Sequence, residues 1–211
     1  FPASSIWWEH LRRPVVFSVL FDRWSKTLAP EGGDADGSPP ANIDLASAFG
    51  AMERVVSLSR DQSLDEDPPT DSSEDPFDDP DWREPRLAAS RLLKVFIRVT
   101  PPVNEWGEKV RGLLSALATE AEPRLDRLDS SEYQDWQFEA INSVRGTAWE
   151  AIILLALKEK NFPEQGAGKV SGWITDLLAQ RLSPHADESP TVFSLLGSQL
   201  RILAYALPEW I

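Results

Sequence analysis

Apolar residues recur along this chain at helical spacing, and nowhere do they alternate with period two for long enough to argue a strand. The stripe Leu45, Phe49, Met52 and Val56 stands at offsets 0, 4, 7 and 11, which share one face of a 3.6-residue turn. Asn42 or Asp44 is placed to cap that helix, which is expected to end near Arg60. Upstream, a short Trp-rich turn is expected over residues 5–12. Pro14 then suits the first turn of a helix that runs through Val15, Val19, Leu20 and Trp24 to about Leu28. Downstream, Ala88, Leu92, Val95, Phe96 and Val99 mark one helix, and Trp106, Val110, Leu113, Leu114 and Leu117 the next. Thr100-Pro101-Pro102 forms the corner between them, because a residue before proline avoids the helical region. Asn142 suits the cap of a helix reaching about Lys158, and its residues 152–157 are apolar on every side, the mark of a helix enclosed by neighbours. Val170, Ile174, Leu177 and Leu178 give another helix. Ser189-Pro190 opens a last one through Leu196, Leu200, Leu203 and Leu207. The predicted fold class is all-α.

Within this pattern a valine opens the same short phrase four times: Val110-Arg111-Gly112, Val144-Arg145-Gly146, Val170-Ser171-Gly172 and Val192-Phe193-Ser194. Gly or Ser follows two residues on, and mostly apolar residues three and four on, in phase with the helical stripe. The intervals of 34, 26 and 22 residues are too irregular for tetratricopeptide or ankyrin arrays. A glycine inside a helix costs roughly 1 kcal/mol relative to alanine, so glycines at this position invite a reason. Either they sit in first turns, or a second helix layer approaches closely there.

Charge divides the chain. Its net charge is −13, and residues 61–84 hold eleven acidic residues against one basic, which accounts for −10 of it. Pro68, Pro69, Pro76 and Pro80 fall in the same stretch, with little large apolar surface to offset chain entropy, so it reads as a disordered linker or long exposed loop. A solvated tether is the favoured role, and an acidic mimic that binds a basic protein is the alternative. The remainder is a balanced mix of signs with no basic stripe for a phosphate backbone, so direct nucleic-acid binding is not expected. The absence of cysteine excludes disulfides and thiolate chemistry and suits a reducing compartment. The longest apolar run, residues 151–157, is too short to span a bilayer, and no signal peptide is visible. Cytoplasmic location follows as the expectation. A chain that begins with Phe and ends directly after its last stripe reads as a segment of a longer protein.

Candidate chemistry is sparse. The two histidines, His10 and His185, stand far apart and neither completes a metal-binding pattern. Gly166-Ala167-Gly168-Lys169 lacks the spacing of a phosphate-binding loop, and no strand precedes it. Pairs such as Glu120 with Glu122 or Asp126 with Asp129 read as a solvated acidic face, and no Gly-x-Ser-x-Gly elbow occurs. The candidate binding residues are therefore Arg111, Arg145, Trp7 and Trp8, with no catalytic or metal-ligating residue and no cofactor expected. Arg111 and Arg145 share one position of the recurring phrase. They could form a ladder for a partner's carboxylates or phosphates, or pair internally with Glu120, Glu122 or Asp126. Adjacent tryptophans on a helix cannot both face one core, so Trp7 or Trp8 is a candidate contact to a neighbouring domain or partner, whereas Trp106, Trp149 and Trp173 are candidate core.

The Val144-Arg145-Gly146-Thr147-Ala148 opening and the apolar run after it resemble the second helix of a HEAT-like repeat. Together with residues 190–210, this region is similar to helical segments of large bacterial multidomain NTPases of the antiviral-defence kind, a resemblance covering residues 104–211. It implies an irregular HEAT-like hairpin array or helical bundle. The organisation expected is a helical part over 1–60, an acidic linker over 61–84 and a helical-repeat part over 85–211 packed with the first. The role implied is a non-catalytic scaffold or partner sensor, with a protein or another domain of the parent chain as partner, and an all-α enzyme of unfamiliar type as a further alternative.

Overall fold

A computed structural model describes residues 14–29, 43–61, 82–101, 105–119, 135–162, 170–182 and 190–209. Among the described residues there are nine α-helices and no strand: α1 Pro14–Leu28, α2 Leu45–Asp61, α3 Arg83–Val99, α4 Gly107–Ala118, α5 Trp136–Ile141, α6 Val144–Asn161, α7 Gly172–Arg181, α8 Pro190–Ser198 and α9 Leu200–Ala206. The all-α expectation holds. None of these helices is long and apolar enough to cross a membrane.

Side-chain pairing sets how the helices lie. Ser90 meets the Val144 carbonyl, Lys94 meets Glu150, and Lys158 reaches the carbonyls of Ile97, Arg98 and Thr100, so contacts advance along α3 and α6 together and the two helices run parallel. Phe17 in the first turn of α1 lies 5.8 Å from Trp82 at the head of α3, which puts start beside start again. At the other flank α5 packs on α8 and, further along, α6 packs on α9, with Tyr205 bonded to Asn161. Thus α1, α3, α6 and α9 form one layer of parallel helices in that spatial order. Over it lie α2 and α4, which run parallel to each other and antiparallel to α3. Phe49 near the start of α2 stacks on Trp106 at the head of α4, with ring centroids 4.9 Å apart and planes 5° apart, and meets Phe96 near the end of α3 edge-on at 5.2 Å. A single buried ring thereby ties three helices, and such pairs add about 0.5–1.5 kcal/mol beyond their area.

The centre is α6. Its expected enclosure holds in large part: α3, α4, α5, α8 and α9 all pack against it, and Trp149, Ala151, Ile152 and Ala156 are wholly buried, while Leu154 and Leu157 are only partly buried. Trp106 and Trp173 are partly buried and packed on the same core. A helix with neighbours on most sides needs only a narrow polar face, which explains its long apolar run.

Local chemistry explains several boundaries. Asp44 caps α2, its carboxylate accepting from the backbone N–H groups of Ala46 at 3.1 Å and Ser47 at 3.3 Å. The Ser47 hydroxyl, which also donates to it, holds the Asp44 carboxyl below its ordinary value of 3.8, so the cap is intact above that pH and weakens as acid protonates it. The cap of α6 is Ser143 rather than Asn142. Ser143 Oγ accepts from Gly146 N at 3.0 Å, while Asn142 closes the unforeseen short helix α5 by donating to the Phe138 carbonyl. The last expected helix bends at Gln199, which divides α8 from α9.

The expected bounds of the acidic linker, 61 and 84, do not hold at either end. Asp61 belongs to α2, and Trp82, Arg83 and Glu84 belong to the head of α3; residues 62–81 lie outside the described residues. Trp82 takes a left-handed φ of 53°, a strain of about 1–3 kcal/mol for a residue with a Cβ. Its indole is only 6% exposed and sits on Phe17, and this burial offsets the strain.

The recurring valine phrase does not mark equivalent places. All four valines are buried, but Val110 is the fourth residue of α4, Val144 the first of α6, Val170 precedes α7, and Val192 is the third of α8. These are four different helices, with α5 between the first two, entered at different positions, so the irregular intervals follow. The glycines differ too. A Cβ on Gly146 would lie 1.8 Å from the Ala140 carbonyl oxygen, so the close approach is made by the end of α5, whereas Gly112 and Gly172 have nothing within 4 Å. Gly146 and Gly172 lie in first turns and Gly112 in mid-helix.

Candidate functional site

Two adjacent residues near the end of α6 fix the surfaces around them. Lys158 Nζ donates to the carbonyls of Ile97 at 2.8 Å, Arg98 at 2.8 Å and Thr100 at 2.7 Å, groups that the end of α3 would otherwise leave without partners. Burial pushes the Lys158 ammonium below its ordinary value of 10.5. The three acceptors oppose that, since a neutral amine has only two N–H groups to donate and would forgo one of these bonds. Glu159 faces the other way. Its buried carboxylate accepts from Ser171 N at 2.7 Å and Ser171 Oγ at 2.8 Å, which anchors the start of α7.

With α6 clamped to α3, the outer surface of the parallel layer has a fixed shape. Between α3, α6 and α9 lies a hollow of about 170 Å³ with an apolar floor of Ile153, Leu154, Leu157 and Ile202 and a polar rim of Lys94, Arg98, Glu150 and Gln199. Lys94 and Glu150 close to 2.7 Å across the rim while remaining partly exposed. Arg98 is exposed, as is Arg91 two turns earlier on the same side of α3, and neither has an ion pair among the described residues. Altogether α3 carries five basic residues, Arg83, Arg86, Arg91, Lys94 and Arg98, against the single acid Glu84. No other described helix is as cationic, on a chain whose net charge is −13.

Two further hollows are less distinctive. A pocket of about 90 Å³ beneath α4 is lined by Thr100, Val110, Arg111, Leu155, Glu159 and Ser171. Its carboxylate is committed to Ser171, and its guanidinium pairs with Glu108 at 3.0 Å and donates to the Gly107 carbonyl. A shallow groove of about 570 Å³ between α2 and α4 is crossed by the exposed Lys109–Glu53 ion pair at 2.7 Å. Among the described residues, no group of three or more His, Cys, Asp or Glu side chains could hold a metal ion.

No family model, curated protein or solved structure matches the chain.

Of the residues singled out by sequence, Arg111 is partly exposed, at the mouth of the small pocket. Arg145 is 2% exposed inside the core, with bonding partners of its own, so the two arginines cannot form a surface ladder. Of the internal partners considered for them, Glu120, Glu122 and Asp126 lie outside the described residues, as do Trp7, Trp8, His10, His185 and the Gly166-to-Lys169 segment. The residues that sequence reasoning passed over are Arg91, Lys94 and Arg98. Their spacing of i, i+3 and i+7 was legible as one cationic stripe on a helix, but its meeting with α6 and α9 joins residues far apart in sequence.

Proposed function

We propose that this chain is a non-catalytic helical module, HEAT-like in the stacking of its hairpins, that holds a protein partner against its outer faces. The observation that supports this most is the single parallel layer α1, α3, α6, α9, built the way serial helical hairpins stack and leaving long helix faces open along one side. The polar groups nearest the small pocket are consumed in helix capping and ion pairing, an economy suited to holding a surface in shape. The resemblance of residues 104–211 to helical segments of bacterial antiviral-defence NTPases makes a cytoplasmic sensor or scaffold within a larger assembly the natural setting. A pull-down with the full chain from bacterial lysate, with and without phage infection, tests this reading. A specific protein recovered in stoichiometric amount is the expected result, and recovery of none in either condition sinks the proposal.

A further inference from the structure

We infer that the hollow between α3, α6 and α9 docks a short acidic peptide carrying one bulky apolar side chain; this rests on the partner-holding role and names the partner's chemistry. The volume decides the size of the guest. At about 170 Å³ the hollow falls below the roughly 300–1,000 Å³ of ordinary small-molecule sites, yet it accepts a single leucine, methionine or phenylalanine side chain. Leu154, Leu157 and Ile202 supply the apolar floor for that side chain.

Charge decides the sign of the flanks. Arg91, Lys94 and Arg98 follow one another along the exposed side of α3, and only Lys94 is committed, to Glu150. A peptide laid along this side of α3 with its apolar residue in the hollow brings its neighbouring carboxylates to Arg91 and Arg98, where bidentate pairing is available. The contrast with the rest of the molecule sharpens the choice. Most of the chain's −13 sits in residues 61–84 and the other described helices are nearly balanced in sign, so the net positive α3 is the strip to which an acidic ligand is drawn. A nucleic acid fits less well, because no aromatic ring lines the hollow for base stacking.

The test is a random peptide library displayed on phage and panned against the full chain, followed by fluorescence anisotropy with a fluorescein-labelled copy of the enriched sequence. Enrichment of Asp and Glu around one large apolar residue is expected. Arg98→Glu and Arg91→Glu should each weaken the enriched peptide about tenfold, and Ile202→Asp should do so without involving the arginines. Arg23→Glu and Arg54→Glu, on other helices, should change affinity less than twofold. Circular dichroism confirms that each variant is folded, and the exposed arginine positions make unfolding no obstacle. Enrichment of basic or uncharged peptides, or binding unaffected by Arg98→Glu and Ile202→Asp, overturns the inference. Anionic phospholipid vesicles that bind and are lost in the same variants, with no peptide enriched, overturn it in favour of a lipid surface. A protein partner whose capture survives Arg91→Glu and Arg98→Glu refutes this groove and leaves the scaffold role standing. No peptide enriched and no partner captured removes both.

Discussion

The tripeptide Val-Arg-Gly occurs at the α5–α6 elbow and again in the middle of α4, and the two copies live in opposite surroundings. At the elbow Arg145 is buried and Gly146 lies so close to the Ala140 carbonyl that no side chain fits. On α4, Arg111 is partly exposed beside Glu108, and Gly112 faces open space. What differs is helical phase: the phrase begins α6 at its first residue but enters α4 at its fourth, so the same side chains point toward different neighbours. Identity of letters therefore carries structural meaning only when the phase of the helix is shared.

The contrast can be broken by substitution, and the largest effect belongs to Gly146. Gly146→Ala must displace the α5 carbonyl or the cap, at a cost of about 3 kcal/mol or more, visible as a lower urea midpoint. Next come the arginines. Arg145→Ala leaves a cavity and unpaired groups in the core and should cost about 2–4 kcal/mol, whereas Arg111→Ala should stay within about 0.5 kcal/mol. A lysine pair extends the comparison. Lys158→Met deprives the three carbonyls at the end of α3 of their donor and should cost about 2 kcal/mol, against less than about 1 kcal/mol for Lys109→Met, which loses only an exposed ion pair. Smallest, and opposite in sign, is Gly112→Ala. With room above it and helix on both sides, alanine should raise stability by about 0.5–1 kcal/mol in thermal or urea unfolding. Equal effects at Gly112 and Gly146 would erase the distinction between the two sites.

Much of the fold was legible because it is written locally. Pro14 and the stripe after it bounded α1, Asp44 was one of two caps read for α2, and the unbroken apolar run of α6 foretold a helix with neighbours on most sides. The misreadings share a cause. Asn142 and Ser143 are both good caps, and only the hidden turn of α5 decides that the serine starts α6 while the asparagine ends the helix before it. Trp82 was submerged in an acidic context, although its partner Phe17 lies 65 residues earlier and no local pattern could reveal the contact. For Arg145 the sequence left a surface ladder and internal pairing both open, and its burial at the start of α6 removes the ladder. The groove was half written: the cationic spacing on α3 is visible, but its floor comes from α6 and α9, and its shape depends on Lys158 reaching back across 58 to 61 residues to hold α3.

Everything assigned to the outer face requires α3 and α6 to lie side by side and parallel. Since the chain has no cysteine, spin labels can be placed on introduced pairs without background, and dipolar distances measured for Arg98→Cys/Asn161→Cys and Arg91→Cys/Asn161→Cys. Parallel helices make the first distance shorter by several ångströms, because seven residues of helix climb about 10 Å. If the two distances are equal, or the Arg91 pair is the closer, the layer and the groove built on it are wrong.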